Sequence, residues 1–260
     1  MRPRKRFGQH FLHDPGVLKR IVDAVVPARG DAIVEIGPGE GALTRPLLER
    51  VEHVTAIEVD RNLAASLTQE FSPQRLSLVI ADVLDFDFST LPADLRIVGN
   101  LPYNISTPIL FHLARFADRV RDMHFMLQRE VVQRMVAKHS TPDYGRLSVM
   151  LQTRFRMQKL FNVAPGAFRP PPKVDSAVVR LVPLKEKMQC DEGVLEKLVR
   201  EAFSARRKTL RNALPLEPKD YEELGIDPKL RPENLSPADY VRIAQRASSF
   251  GLSCGSGDAR

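Results

Sequence analysis

Val98–Ser106 reads VGNLPYNIS, and it sets a side-chain amide, a main-chain carbonyl, a proline and an aromatic ring at the end of the apolar run LRIVG. Those groups suit one kind of chemistry. An exocyclic aromatic amine is a poor nucleophile because its lone pair is delocalised into the ring. The Asn100 amide oxygen and the Leu101 carbonyl can accept that amine's two N–H groups and so turn its lone pair toward an electrophilic methyl group. Pro102 fixes the turn that aims the carbonyl, and Tyr103 offers a face on which the base stacks. Positioning does most of the work in such a site, so no general base of shifted pKa is needed.

A second constellation suits the methyl donor. Glu35–Leu43, EIGPGEGAL, has glycines at 37, 39 and 41, which let the backbone turn tightly and approach a ligand. GPGEGA also fits the G-x-G-x-x-A form of a dinucleotide fingerprint, so the motif alone admits either NAD or S-adenosylmethionine. Glu40 favours the latter, because a pyrophosphate needs positive potential at the helix start whereas a sulfonium is helped by acidic surroundings. Glu58 lies 21 residues after Gly37, where a carboxylate can accept from both ribose hydroxyls. Asp82 ends the next strand, within reach of an adenine amino group, and Val83 beside it can pack on the ring.

The elements that must position these groups are legible. Ala32–Ile36, Val54–Val59, Leu76–Val83, Leu95–Gly99 and Met123–Leu127 are short, rich in β-branched residues and mostly apolar throughout, the pattern of strands covered on both faces. Helical patterns fall between them over Ala42–Arg50, Arg61–Phe71, Thr107–Phe116 and Arg129–Lys138. The alternation predicts a parallel, doubly wound sheet. Two later strands, near Ser148–Phe155 and Ala177–Pro183, are expected to form a hairpin-like addition at its edge. Asp14 followed by Pro15 reads as the cap and first position of a helix running to Ala24. Beyond Lys185 only helices are expected, over Asp191–Phe203, Arg206–Leu214, Lys219–Leu224 and Pro237–Ala247. The predicted organisation is a catalytic domain over 1–184 with a basic N-terminal arm, a helical domain over 185–248, and a disordered tail over 249–260.

The chain has 260 residues, 43% of them hydrophobic, which is enough for a full core. Two cysteines, Cys190 and Cys254, exclude a disulfide scaffold, and no histidine has zinc-ligand spacing, so no metal is assigned. No membrane span or signal peptide is read, and a cytoplasmic protein is expected. The net charge of +7 is unevenly spread: +4 over Met1–His13, −5 over Asp14–Val120, +7 over Arg121–Leu184 and +1 over Lys185–Arg260. A basic arm and a basic middle segment flanking an acidic region are what a docked polyanion requires. Arg2, Arg4, Lys5 and Arg6 in the arm can lie along an RNA backbone. Phe168, in the proline-stiffened AFRPPPKV, is expected to form a second wall of a base sandwich with Tyr103, while Arg169 and Lys173 hold phosphates. Arg206, Arg207, Lys208 and Arg211 form a further basic cluster on one predicted helix.

Taken together, EIGPGEGAL, Glu58, Asp82, NLPYNIS, RFGQHFL (Arg6–Leu12) and FRPPPKVDSAV (Phe168–Val178) resemble the ribosomal RNA adenine N6,N6-dimethyltransferases, over about Arg4 to Ala247. The likeness is to the branch that modifies two adjacent adenosines near the 3′ end of small-subunit ribosomal RNA. It implies an α/β, Rossmann-like methyltransferase sheet with a small all-α C-terminal domain, S-adenosylmethionine as cofactor, and a monomer acting on small-subunit RNA in a precursor 30S particle. It also implies that Gln9, His10 and Leu12 close over the cofactor, with Gly37, Glu58, Asp82 and Asn100 as its main contacts. Three rival readings stand beside it. These are an adenine methyltransferase acting on large-subunit RNA or DNA, an assembly factor whose binding matters more than its catalysis, and an NAD-dependent oxidoreductase, which Glu40 disfavours.

Overall fold

The computed structural model describes residues 10–186 and 188–249. Its strands are β1 Phe11–Leu12, β2 Ile33–Ile36, β3 Val54–Glu58, β4 Leu76–Ile80, β5 Leu95–Asn100, β6 Val120–Gln128, β7 Phe155–Val163, β8 Phe168–Arg169 and β9 Ser176–Pro183. Its α-helices are α1 Pro15–Val25, α2 Thr44–Leu48, α3 Arg61–Glu70, α4 Ser106–Ala114, α5 Arg129–Val136, α6 Arg146–Gln152, α7 Glu192–Ser204, α8 Leu210–Ala213, α9 Pro218–Leu224 and α10 Pro237–Ser249.

Seven strands form one sheet in the order β4-β3-β2-β5-β6-β9-β7, with β1 and β8 paired separately. The first five run parallel, and β9 joins β6 antiparallel. The strand order reverses between β2 and β5, and in sheets of this kind ligands bind beyond the strand C-termini at that point. Gly99 permits the close approach of these two strands, since a Cβ there would lie 2.6 Å from the Ile36 carbonyl oxygen. Asp14 caps α1 through Val17 N–H with Pro15 in the first turn, as its sequence predicts. Ile21, Val22 and Val25 of α1, Leu47 and Leu48 of α2 and Leu67 of α3 bury one cluster with Val98, Met126 and Val178 of the sheet.

A buried guanidinium ties the bottom of this layer together. Arg96 on β5 donates to both carboxylate oxygens of Asp122 on β6 (3.0 and 2.8 Å) and to Asp31 ahead of β2 (2.7 Å). It also donates to the Val25 and Val26 carbonyls at the end of α1. Helix, loop and two strands are thereby fixed by one side chain whose donors are all aimed at acceptors.

Two sequence expectations change. The strand predicted near Ser148–Phe155 is instead α6, and the strand begins at Phe155 as β7. Leu147, Val149 and Leu151 alternate as in a strand, but Ser148 faces inward too, its hydroxyl donating to the Arg134 carbonyl. The helix read over Arg206–Leu214 is only α8, so Arg206, Arg207 and Lys208 lie in the turns before it.

The chain forms two compact units. One takes the chain up to Gln133 together with Arg156–Pro183, and the other takes Arg134–Phe155 with Leu184 onward. The second has its own core, in which Tyr144 and Val149 pack with Leu195, Leu198 and Val199 of α7 and Tyr240, Ile243 and Ala244 of α10. The tail expectation falls on residues 250–260, outside the described residues, apart from Ser249, the last residue of α10. Among the described residues no helix is long and apolar enough to cross a membrane.

Candidate active site

A cavity of about 270 Å³ opens at the C-terminal ends of β2, β3, β4 and β5, within the first unit. Each strand delivers one of the predicted groups to it. Gly37 follows β2 in the left-handed region (φ +65°), which a side chain would strain, and its N–H donates to the Ile57 carbonyl at 2.9 Å. Glu58 ends β3 and is buried, accepting from Gly39 N–H (3.2 Å) and Asp60 N–H (2.9 Å). Burial raises its carboxyl above the usual range, against the lowering effect of those two bonds. Asp82 follows β4, exposed, with Oδ1 accepting from Leu84 N–H, and Val83 beside it is buried in the wall.

Asn100 ends β5. Its amide nitrogen donates to the His10 carbonyl at 2.9 Å, which leaves the amide oxygen available as an acceptor. Leu101 N–H donates across to the Met126 carbonyl (3.2 Å), and the Pro102 carbonyl closes the following turn on Ile105 N–H. Tyr103 is held through its hydroxyl, 2.6 Å from Ser176 Oγ on β9. Burial raises its phenol above the ordinary value, with the Ser176 bond working the other way. The His10 ring stacks on Tyr103 at 5.5 Å between centroids and 28° between planes, and its Nδ1–H donates to the Pro170 carbonyl at 2.7 Å.

Asn100, Leu101, Pro102, Tyr103, Gly37, Glu58, Asp82, Val83, His10 and Leu12 therefore all line the one cavity. Phe168 does not. It is 2% exposed, opposite Leu12 in the β1–β8 pair and packed in the core cluster, so the base sandwich expected of it is not formed here. The ring that faces Tyr103 is His10. Arg169, which ends β8, and Lys173 beyond it are exposed, whereas Arg206 is engaged by Glu233 (2.5 Å) and the Pro142 carbonyl, leaving Arg207, Lys208 and Arg211 as the exposed members of that cluster. Arg4, Lys5, Arg6 and Gln9 lie outside the described residues.

Sequence reasoning missed two buried groups in the cavity wall. Glu35 on β2, Val98 on β5 and His124 on β6 form one row across adjacent strands. Burial pushes Glu35 up to about 7, with a bond from Thr44 Oγ1 (2.6 Å) opposing and the Glu58 charge reinforcing the shift. Burial holds His124 down at about 4, so it is a neutral imidazole. Nothing in an apolar strand pattern distinguishes an inward acid or histidine from a surface one. Among the described residues the wall carries the carboxylates of Glu35, Glu40, Glu58 and Asp82 and no Lys or Arg. Such a wall repels a pyrophosphate and suits a cation.

A doubly wound sheet with an acidic cavity at its switch point, and the tetrapeptide Asn100–Tyr103 at the end of β5 lining it, is the architecture of a Rossmann-like methyltransferase. The chain belongs to the ribosomal RNA adenine dimethylase family, whose model matches residues 1–249. It is 60% identical over 246 residues to the ribosomal RNA small subunit methyltransferase A of Aromatoleum aromaticum, covering 93% of each chain. It is 59% identical to the protein of the same name from Thiobacillus denitrificans, over 93% of this chain and 96% of that one. Among solved structures it resembles a dimethyladenosine transferase from Plasmodium falciparum (26% identical, TM-score 0.81, 93% of this chain and 98% of that one). The 23S rRNA methyltransferase ErmE also resembles it (28%, TM-score 0.69, 92% and 99%).

Proposed function

We propose that this protein dimethylates N6 of two adjacent adenosines near the 3′ end of small-subunit ribosomal RNA. The observation that carries the reading is the Asn100 amide, turned by the His10 carbonyl so that its oxygen is left to accept at the lip of an acidic cavity. S-adenosylmethionine is the methyl donor of the family, and when bound it supplies an electrophilic methyl carbon on a sulfonium. The four carboxylates of the wall fit that cation. Glu58 accepts from the ribose hydroxyls, Asp82 from the adenine amine, and Val83 packs on the ring. His10, Leu12 and Gly37 complete the cofactor's surroundings, with Gln9 beside them.

At the target, Asn100 Oδ1 and the Leu101 carbonyl accept the two N–H groups of N6, and Tyr103 stacks on the base. The N6 lone pair would then face the electrophilic methyl carbon that the donor supplies, and the proton that N6 must lose would pass to water. Asn100 stays neutral throughout. Exposed positive groups on both units, Arg169 and Lys173 on one and Arg207, Lys208 and Arg211 on the other, suit the large folded RNA surface of a precursor 30S particle. The N-terminal arm adds to them, and the protein acts as a cytoplasmic monomer. The small-subunit target is preferred to the large-subunit one because the 60% and 59% identical relatives are named for the small subunit, whereas ErmE is 28% identical.

Incubating the protein with labelled donor and 30S particles lacking the modification, and mapping the product by mass spectrometry, tests this. Two adjacent dimethyladenosines are expected. No label in the 30S particle, or label at nucleotides other than two adjacent adenosines, contradicts the reading, and comparison with naked 16S RNA reports whether the particle is the substrate.

Two further outcomes are expected at the cofactor. Glu58→Ala weakens donor binding about 10- to 100-fold, since a hydrogen bond to a charged group contributes about 1.5–3 kcal/mol; titration calorimetry measures it. Glu35 makes donor binding pH-dependent. A cation in the cavity favours the ionised carboxylate, so affinity rises as pH increases through about 7 and binding releases protons. Calorimetry in buffers of different ionisation enthalpy detects that release, and Glu35→Gln abolishes it. Without ligand the sign reverses: the raised pKa makes the protonated form the stable one, so this contribution to stability is full below the ordinary value of 4.5 and declines as pH rises through about 7.

A further inference from the structure

The motif FRPPPKVDSAV places Phe168 in the core rather than at the cavity, yet one of its residues reaches the target side. Ser176 opens β9, opposite Gln128 of β6, and is fully buried. Its hydroxyl lies 2.6 Å from the Tyr103 hydroxyl, the polar end of the ring on which the target base is read to stack. A buried phenol needs such a partner. Ser106 Oγ separately donates to the Tyr103 main-chain carbonyl at 3.2 Å, which fixes the backbone that carries the ring. The ring's polar end is thus pinned by the Ser176 hydroxyl, which belongs to β9 and not to the strand that carries Asn100.

Dimethylation makes this pin matter unequally. Adenine offers two N–H groups to Asn100 Oδ1 and the Leu101 carbonyl. N6-methyladenine has one N–H left, so the grip on the amine falls to a single hydrogen bond before the second transfer. The base is then held to a greater extent by its stack on Tyr103.

We propose that Ser176 is a positioning residue: by holding the Tyr103 hydroxyl it keeps the stacking ring in place and sustains the second methyl transfer. This rests on the reading of Tyr103 as the base-stacking ring. Ser176→Ala and Tyr103→Phe each delete the same bond from opposite sides, and the second does so without disturbing the buried strand. Each is expected to slow the first transfer about 2- to 10-fold, the range of one net hydrogen bond, and the second by more. Chromatography of nucleosides from a time course on 30S particles then shows N6-methyladenosine accumulating where the wild type gives the dimethyl product. The double variant is no worse than either single one, Ser176→Thr restores the ratio, and donor affinity by calorimetry is unchanged in all, which a merely structural lesion would not produce. A wild-type product ratio in both Ser176→Ala and Tyr103→Phe, or losses that multiply in the double variant, overturns the proposal. Tyr103→Ala separates the two levels. If it alone is impaired, the Ser176 role fails and the stacking reading stands; if it too is unimpaired, the stacking reading fails as well.

Discussion

Asn100→Ala is expected to reduce methyl transfer at saturating donor by about 10²-fold or more, the scale on which misplacing a reacting group is felt. Two things are lost together. The acceptor that orients the N6 lone pair disappears, and the His10 carbonyl loses the amide donor 2.9 Å away. Asn100→Asp separates these contributions. It retains acceptor oxygens but sets a carboxylate against the His10 carbonyl in place of an N–H, so it also fails, and it fails although a potential base has been added. Single-turnover rates with 30S particles measure both variants. Activity in Asn100→Asp above that of the wild type would mean that proton abstraction, rather than alignment, limits the reaction.

Arg96→Met is expected to destabilise the first unit by up to about 3–5 kcal/mol, because the buried Asp122 loses its bidentate partner and keeps only Arg180 at 3.5 Å, and Asp31 keeps only Arg121. The same change releases the Val25 and Val26 carbonyls that close α1. A loss of that size lowers the thermal midpoint by about 10 °C, readable by calorimetry. Arg96 is remote from the ligand cavity, so the folded fraction of the variant retains donor affinity. A midpoint within about 1 °C of wild type would show that the network contributes little beyond its own desolvation cost.

The parallel strands were legible because burial on both faces leaves a nearly continuous apolar run, and the chemistry was legible because it sits where those runs stop. Gly37, Glu58, Asp82 and Asn100 each end or follow a strand, so their convergence followed from the fold class. What was not legible depends on side-chain direction. Phe168, in its proline-stiffened loop, reads as a wall of a base sandwich with Tyr103, but the strand that pairs antiparallel with Leu12 carries it into the core. Arg206 reads as one of four equivalent cations until Glu233, 27 residues on, engages it. Glu35 and His124 look like the polar members of ordinary strands, and only the register that aligns them across Val98 shows that both point inward. Ser176 carries no signal by itself, since its partner lies 73 residues away in a turn.

One amide oxygen and one carbonyl are predicted to hold the target amine facing the donor. A structure of the protein with its RNA substrate and a donor analogue that cannot transfer its methyl group tests this most directly. N6 is predicted to lie about 3 Å from both Asn100 Oδ1 and the Leu101 carbonyl oxygen, with its remaining face toward the donor's sulfonium position. An adenine bound with N6 turned away from Asn100, or stacked elsewhere than on Tyr103, would contradict it.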